Sequence, residues 1–190
     1  MRKKPIRQGR LDGLCGVYSV INAVNVLAAP NVFTWEQRHE LFELLVKAVF
    51  DRQVGNRKNV RFLWNGTWRP DVQEMLKVAA RFARKRLGFG LKVKVGLPGS
   101  GVGKKIPTFW KTLDAELSAR RGGGGAAIVG FQDDTMSHWT CVVAVKDKSL
   151  KLRDSCGIKY LKKLGGTLGP QIQGKRRFEW KGVFILTRED

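Results

Sequence analysis

Apolar residues follow two different rhythms along this 190-residue chain. In the first half they recur every three to four positions, and in the second they alternate or run together. Residues 15–28 carry Val17, Tyr18, Val20, Ile21, Ala23, Val24, Val26 and Leu27, apolar on nearly every side of a helix. Such a segment belongs at the centre of a core, and Ala29-Pro30-Asn31 ends it. A second helix is expected from Thr34, where Thr34-Trp35-Glu36-Gln37 has the form of a capping box. Leu41, Phe42, Leu45, Ala48 and Val49 are its buried stripe. Residues 51–69 are polar and Arg/Asn-rich and read as a loop, with Trp64 and Trp68 as anchors. A third helix is predicted over 70–87, with Pro70 at its first position and Val72, Leu76, Ala79, Ala80 and Ala83 inward.

The period then drops to two. Phe89, Leu91, Val93, Val95 and Leu97 alternate with Gly and Lys, the mark of a half-buried strand. A Gly-rich loop (99–103), a short helix (107–121) and a run of glycines (122–125) follow. The remainder reads as an antiparallel meander with strands at 126–131, 138–145 and 150–155. A long Gly-containing loop leads to a last strand around 178–186. With no repeat and no long linker, one domain over residues 1–190 is expected. Helices first and hairpins later give an α+β fold.

Composition changes this picture in one respect. Apolar residues make up 43% and charged ones 27%, which excludes wholesale disorder. The charge balance is lopsided: 36 Lys+Arg less 16 Asp+Glu leaves +20. That draws the chain toward anionic partners such as nucleic acid, anionic membrane or acidic protein surfaces. The basic runs at 2–4, 81–86, 159–163 and 175–177 are not interleaved with aromatics in a nucleic-acid module, and they read as solvated charge. Pro98-Gly99-Ser100-Gly101-Val102-Gly103-Lys104-Lys105 imitates a phosphate-binding loop but has Pro for its first Gly and Lys for its final Ser/Thr.

Three cysteines without metal-ligand spacing fit a reducing compartment. The basic N-terminus is followed by Gly9, Arg10 and Asp12 instead of an apolar run. No signal peptide or transmembrane segment is therefore expected, and the chain is placed in the cytoplasm, with signal-independent export open.

Candidate chemistry starts from the thiols. A free cysteine, with pKa about 8.5, is mostly protonated at neutral pH, and a helix N-terminus and a neighbouring imidazole are two devices that favour the reactive thiolate. Cys15 has the first by position, between Gly13 and Gly16 where a loop turns into the central helix. Cys141 falls in an apolar strand and reads as core. Cys156 follows Asp154-Ser155 and reads as structural. Of two histidines, His39 lies within the second helix, whereas His138 opens a strand after a polar loop.

Asp154 lies on the strand paired with that of His138. A turn centred near 147 puts residue 154 opposite 140, on the same face as His138, so the two can meet diagonally. Asp154 could instead begin the turn into Gly157. An acyl-transfer site also needs donors for an oxyanion, and the Cys15 N–H and the Gln8 side-chain amide are the candidates.

Gln8-x6-Cys15-Gly16, then His138-Trp139-Thr140 before an apolar strand, then Asp154-Ser155 resembles the papain-like cysteine peptidase superfamily, most closely its bacterial C39-type branch. The resemblance covers about residues 6–27 and 124–157, and the C-G-S-C-W signature of the plant and lysosomal enzymes is absent. It implies a papain-like fold in which an N-terminal helix bearing the nucleophile packs on an antiparallel sheet. It also implies a catalytic set of Cys15, His138 and Asp154 with Gln8 in the oxyanion hole, no cofactor or metal, and a protein or peptide substrate. A deamidase or transglutaminase uses the same residues. A catalytically idle basic protein that binds nucleic acid or another polyanion is the rival from outside enzymology.

Overall fold

In the computed structural model the described residues are 13–29, 33–54, 66–98, 105–118, 125–168 and 172–189. Four α-helices are present among them: α1 Cys15–Leu27, α2 Trp35–Val54, α3 Arg69–Phe82 and α4 Ile106–Ser118. Seven strands complete them: β1 Gly90–Val95, β2 Gly125–Gln132, β3 Ser137–Val145, β4 Ser149–Arg153, β5 Tyr160–Lys162, β6 Gly166–Thr167 and β7 Arg176–Glu189. The strands form one sheet in the order β1-β7-β2-β3-β4-β5, with β6 beside β7. The fold is α+β.

Burial follows from the sheet's alternation. On β2, Ala126 and Ile128 face one side, while Ala127, Val129 and Phe131 face the other. The first side meets α1, α2 and α3 through Val17, Ile21, Val24, Leu41, Leu45, Met75 and Ala79. The second meets α4 through Phe109, Trp110 and Leu113. A strand buried on both faces needs an unbroken apolar run, which Ala126–Val129 supplies. The nearly all-apolar α1 is explained likewise: it is enclosed by α2, α3 and the sheet, and Val17, Val20, Ala23, Val24 and Leu27 are fully buried.

Several expectations change. The capping box is present, with Thr34 N donating to Gln37 Oε1 at 3.0 Å and Gln37 N to Thr34 Oγ1 at 3.2 Å. However, α2 runs to Val54, into the stretch read as loop. Its polar last turn is held by a buried carboxylate. Gln53 Nε2 donates to Asp71 Oδ2 at 2.8 Å, Arg52 Nε lies 3.3 Å from Asp71 Oδ1, and Trp68 N donates to Oδ2 at 2.7 Å to start α3. Helix α3 gives way to a π-helical turn, Ala83–Leu87, which stops at Gly88 in the left-handed conformation (φ 75°) that glycine adopts without strain.

The expected long loop before the last strand contains β5 and β6. That last strand is longer than expected and does not extend a meander: it lies between β1 and β2, and its pairing with β6 is parallel. On β1, Val95 is exposed instead of sharing the burial of Phe89 and Leu97. Gln8, Trp64, the basic run at 2–4 and most of the loop at 98–105 lie outside the described residues.

Candidate active site

Helix α1 begins at the cysteine. Cys15 is its first residue, 6% exposed, and Leu14 occupies the N-cap position without a side-chain cap. Ser, Thr, Asp or Asn there would satisfy one of the unpaired N–H groups of the first turn, and leucine cannot. The donors and the positive end of the helix dipole thus gather beside the thiol, with no competing acceptor from the cap residue.

The neighbouring glycine has a steric reason. A Cβ on Gly16 would lie 2.1 Å from Thr67 Oγ1 and 3.0 Å from Thr67 Cβ, so only glycine lets the 66–68 segment pack on the start of α1. The Thr67 carbonyl accepts the Trp139 Nε1–H at 2.8 Å, and Ser19 Oγ donates to the Trp139 carbonyl at 2.8 Å. Helix start, loop and β3 are thereby tied together at the residue next to His138. On the far side of β3, Gly130 of β2 sits opposite Trp139, and a Cβ there would lie 2.9 Å from the indole.

His138 is the second residue of β3 and is buried, its ring edge-on to Phe131 at 5.5 Å between centroids. The loop before it is built on Asp133, whose Oδ1 accepts from Thr135 N, Thr135 Oγ1 and Met136 N. Across the hairpin, Cys141 pairs with Arg153, which places residue 154 opposite 140 as the turn geometry predicts. Asp154 lies one residue beyond β4, not within the strand as expected. There it fills both of the roles considered for it: Oδ2 lies 2.7 Å from His138 Nε2, and Oδ1 accepts the backbone N–H of Cys156 (2.8 Å) and of Ile158 (3.3 Å). With Nε2 engaged by the carboxylate, Nδ1 is the ring's remaining nitrogen, and the Cys15 thiol is near enough to the ring to act on its pKa.

The electrostatics follow from this packing. Burial pushes the His138 imidazolium down, but the hydrogen bond to Asp154, the neighbouring Cys15 and the charge of Asp154 outweigh it and raise its pKa from 6.5 to about 9. Burial pushes Asp154 up, yet the His138 hydrogen bond and charge, the Thr140 hydroxyl and the Cys156 N–H together hold it below the usual carboxylate value. The Thr140 hydroxyl is buried near this carboxylate without a formed hydrogen bond among the described residues. Cys141 is fully buried in the sheet, and desolvation pushes its thiol up to about 12, which leaves it inert. His39 is an exposed helix residue paired with Glu43 at 3.2 Å and stacked on Trp35.

Of the sequence candidates, the structure brings Cys15, His138 and Asp154 together, and Gln8 lies outside the described residues. Sequence reasoning missed the supporting residues Ser19, Thr67 and Thr140. Ser19 carried a signal, since it lies four residues after Cys15 and so on the same helix face. His138, Asp154 and Cys156 offer ligand atoms within 4.8 Å of one another. No described helix is long and apolar enough to cross a membrane.

No family model and no curated protein matches the chain. Among solved structures it is similar to the peptidase domain of Streptococcus ComA, a bi-functional ABC transporter involved in a quorum sensing pathway. The TM-score is 0.45 and the identity 14%, with 98% of each chain covered.

Proposed function

We propose that this chain is a papain-like cysteine peptidase that cleaves an amide bond of a protein or peptide through a thioester on Cys15. One observation carries the reading. A buried His–Asp pair, bonded at 2.7 Å, keeps one ring nitrogen clear of the carboxylate and has a thiol at the first residue of a buried helix as its electrostatic neighbour. A merely structural His–Asp pair would not need a nucleophile at that nitrogen, nor an N-cap residue that leaves the first-turn donors without a side-chain acceptor.

The chemistry then follows from the groups. His138 Nδ1 takes the thiol proton, and the sulfur adds to the substrate carbonyl. The developing oxyanion is met by the Cys15 N–H, with Gln8 as the proposed second donor. His138 returns its proton to the leaving amine, and water, activated by the same ring, releases the acid and frees Cys15. Asp154 holds the ring and favours its protonated form between these steps. If the scissile amide is a glutamine side chain the outcome is deamidation, and if an amine replaces water it is acyl transfer.

The test is a peptide and protein mixture incubated with wild type and with Cys15→Ala, read by mass spectrometry for cleavage, deamidation and amine incorporation. New peptide termini in the wild-type reaction alone support the peptidase reading. Deamidation or amine incorporation alone replaces it, and turnover by Cys15→Ala overturns the nucleophile.

A further inference from the structure

We propose that His138, Asp154 and Cys156 form a binding site for a divalent cation of zinc's chemical class, and that its occupancy switches off the thiol chemistry of Cys15. The second half of this inference rests on the function proposed above; the first half does not.

Three side chains of different ligand type converge here. The imidazole, carboxylate and thiol ligand atoms lie within 4.8 Å of one another, and His138 Nε2 is 2.7 Å from Asp154 Oδ2. The turn that follows β4 produces the convergence. Asp154 Oδ1 accepts the Cys156 backbone N–H at 2.8 Å, which folds the chain back and returns the Cys156 side chain toward the carboxylate. His138 and Asp154 are buried, whereas Cys156 is exposed and in no disulfide. A cation would therefore meet the sulfur first and then the buried pair.

The donor set selects the ion. Zinc accepts nitrogen, oxygen and sulfur together at roughly 2.0–2.3 Å, while magnesium and calcium want oxygen alone. Those bond lengths in a tetrahedron put ligand atoms about 3.3–3.6 Å apart. The His138–Asp154 pair must open by a fraction of an ångström and the sulfur must close by up to about 1.2 Å. Both are side-chain movements, and the sulfur belongs to an exposed residue on a turn. Three protein ligands leave the fourth vertex to water.

Occupancy has a direct consequence for the neighbouring thiol. A cation on Nε2 displaces the bond between the ring and Asp154 that holds His138 beside Cys15. The ring is then held by the metal in place of Asp154, and the arrangement of Cys15, His138 and Asp154 that the proposed chemistry uses is broken.

The experiment is calorimetric titration of zinc into the metal-free chain, with cobalt as a spectroscopic probe for thiolate ligation. Wild type, Cys15→Ser, Cys156→Ser, Cys156→Ala and Asp154→Asn are compared. We expect one zinc per wild-type chain and a thiolate-to-cobalt charge-transfer band. Both should be retained in Cys15→Ser, and affinity should fall at least tenfold in either Cys156 variant and in Asp154→Asn. Zinc should inhibit wild type, and each Cys156 variant should resist it by at least tenfold relative to its own metal-free rate. Unchanged zinc affinity in the Cys156 variants overturns the site. So does a loss confined to Cys15→Ser, which would mean simple capture by the nucleophile. Binding is read without turnover, so failure of the peptidase reading and failure of the metal site are separate results.

Discussion

At the scale of single residues, one carboxylate serves two bonds. Asp154 accepts from His138 with one oxygen and closes the following turn with the other. Asp154→Asn keeps the shape and removes the charge, so turnover should fall by several orders of magnitude while the fold survives, as a steady-state assay beside a circular dichroism spectrum would show. The same pair sets a pH window for stability. His138 is raised from 6.5 to about 9, so its contribution is complete below pH 6.5 and is lost as pH rises through about 9. Asp154 is lowered from 3.8, so its contribution is complete above that value and is lost as pH falls through its folded value. Thermal melts in the presence of a chelator should therefore show a plateau near pH 4–6.5 and a decline toward pH 9. Asp154→Asn should flatten the decline, and a Tm that rises between pH 6.5 and 9 would contradict the charge assignment. Cys15, His138 and Asp154 were legible in the sequence because each has few competitors: three cysteines, two histidines and one aspartate at the right hairpin register. Thr140 was not, because a threonine in a strand has an ordinary packing explanation.

At the scale of elements, the site depends on α1 being seated against β3. Gly16 permits the 66–68 segment to approach, and Ser19 and Trp139 fasten helix to strand. Gly16→Ala forces a Cβ into Thr67 and should cost about 1–3 kcal/mol in denaturant unfolding. Thr67→Ala removes the atom only 2.1 Å away, so the double variant should recover part of that loss, whereas strict additivity would contradict the contact. Ser19→Ala removes one buried hydrogen bond, worth about 1 kcal/mol. Because the bond lies beside His138, kcat should drop more than KM changes, and a purely structural role would leave kcat alone. The elements themselves were readable wherever the pattern is local: α1, the capping box of α2 and the β3–β4 hairpin. The continuation of α2 through 51–54 was hidden, since Asp51-Arg52-Gln53 is polar and only the contact with buried Asp71 makes it helical. The insertion of β7 between β1 and β2 was hidden for a related reason. Pairing across 89–99 residues to β1 and 45–62 residues to β2 leaves no periodic trace in either strand.

At the scale of the whole molecule, charge and reactivity separate. Among the described residues, exposed cations include Arg81, Arg84 and Lys85 near the end of α3 and Lys146, Lys148, Lys159 and Lys162 around β4 and β5, whereas His138 and Asp154 are buried. Binding to nucleic acid should therefore be counterion release: it should collapse between about 50 and 200 mM salt, equally for unrelated sequences and equally in Cys15→Ala. Salt-resistant binding to one sequence would instead favour a dedicated nucleic-acid protein. The central claim concerns a single sulfur among three. Cys141 is buried and inert, and Cys156 is exposed and would compete for reagents, so the decisive measurement uses Cys156→Ser with a chelator present. In it, the rate of alkylation is mapped by peptide mass spectrometry across pH 5–9, with and without His138→Ala. The account predicts that Cys15 reacts at about pH 6 at least tenfold faster than a free thiol, and that His138→Ala removes the advantage. A Cys15 that reacts no faster than a free thiol, or equally fast without His138, would contradict it.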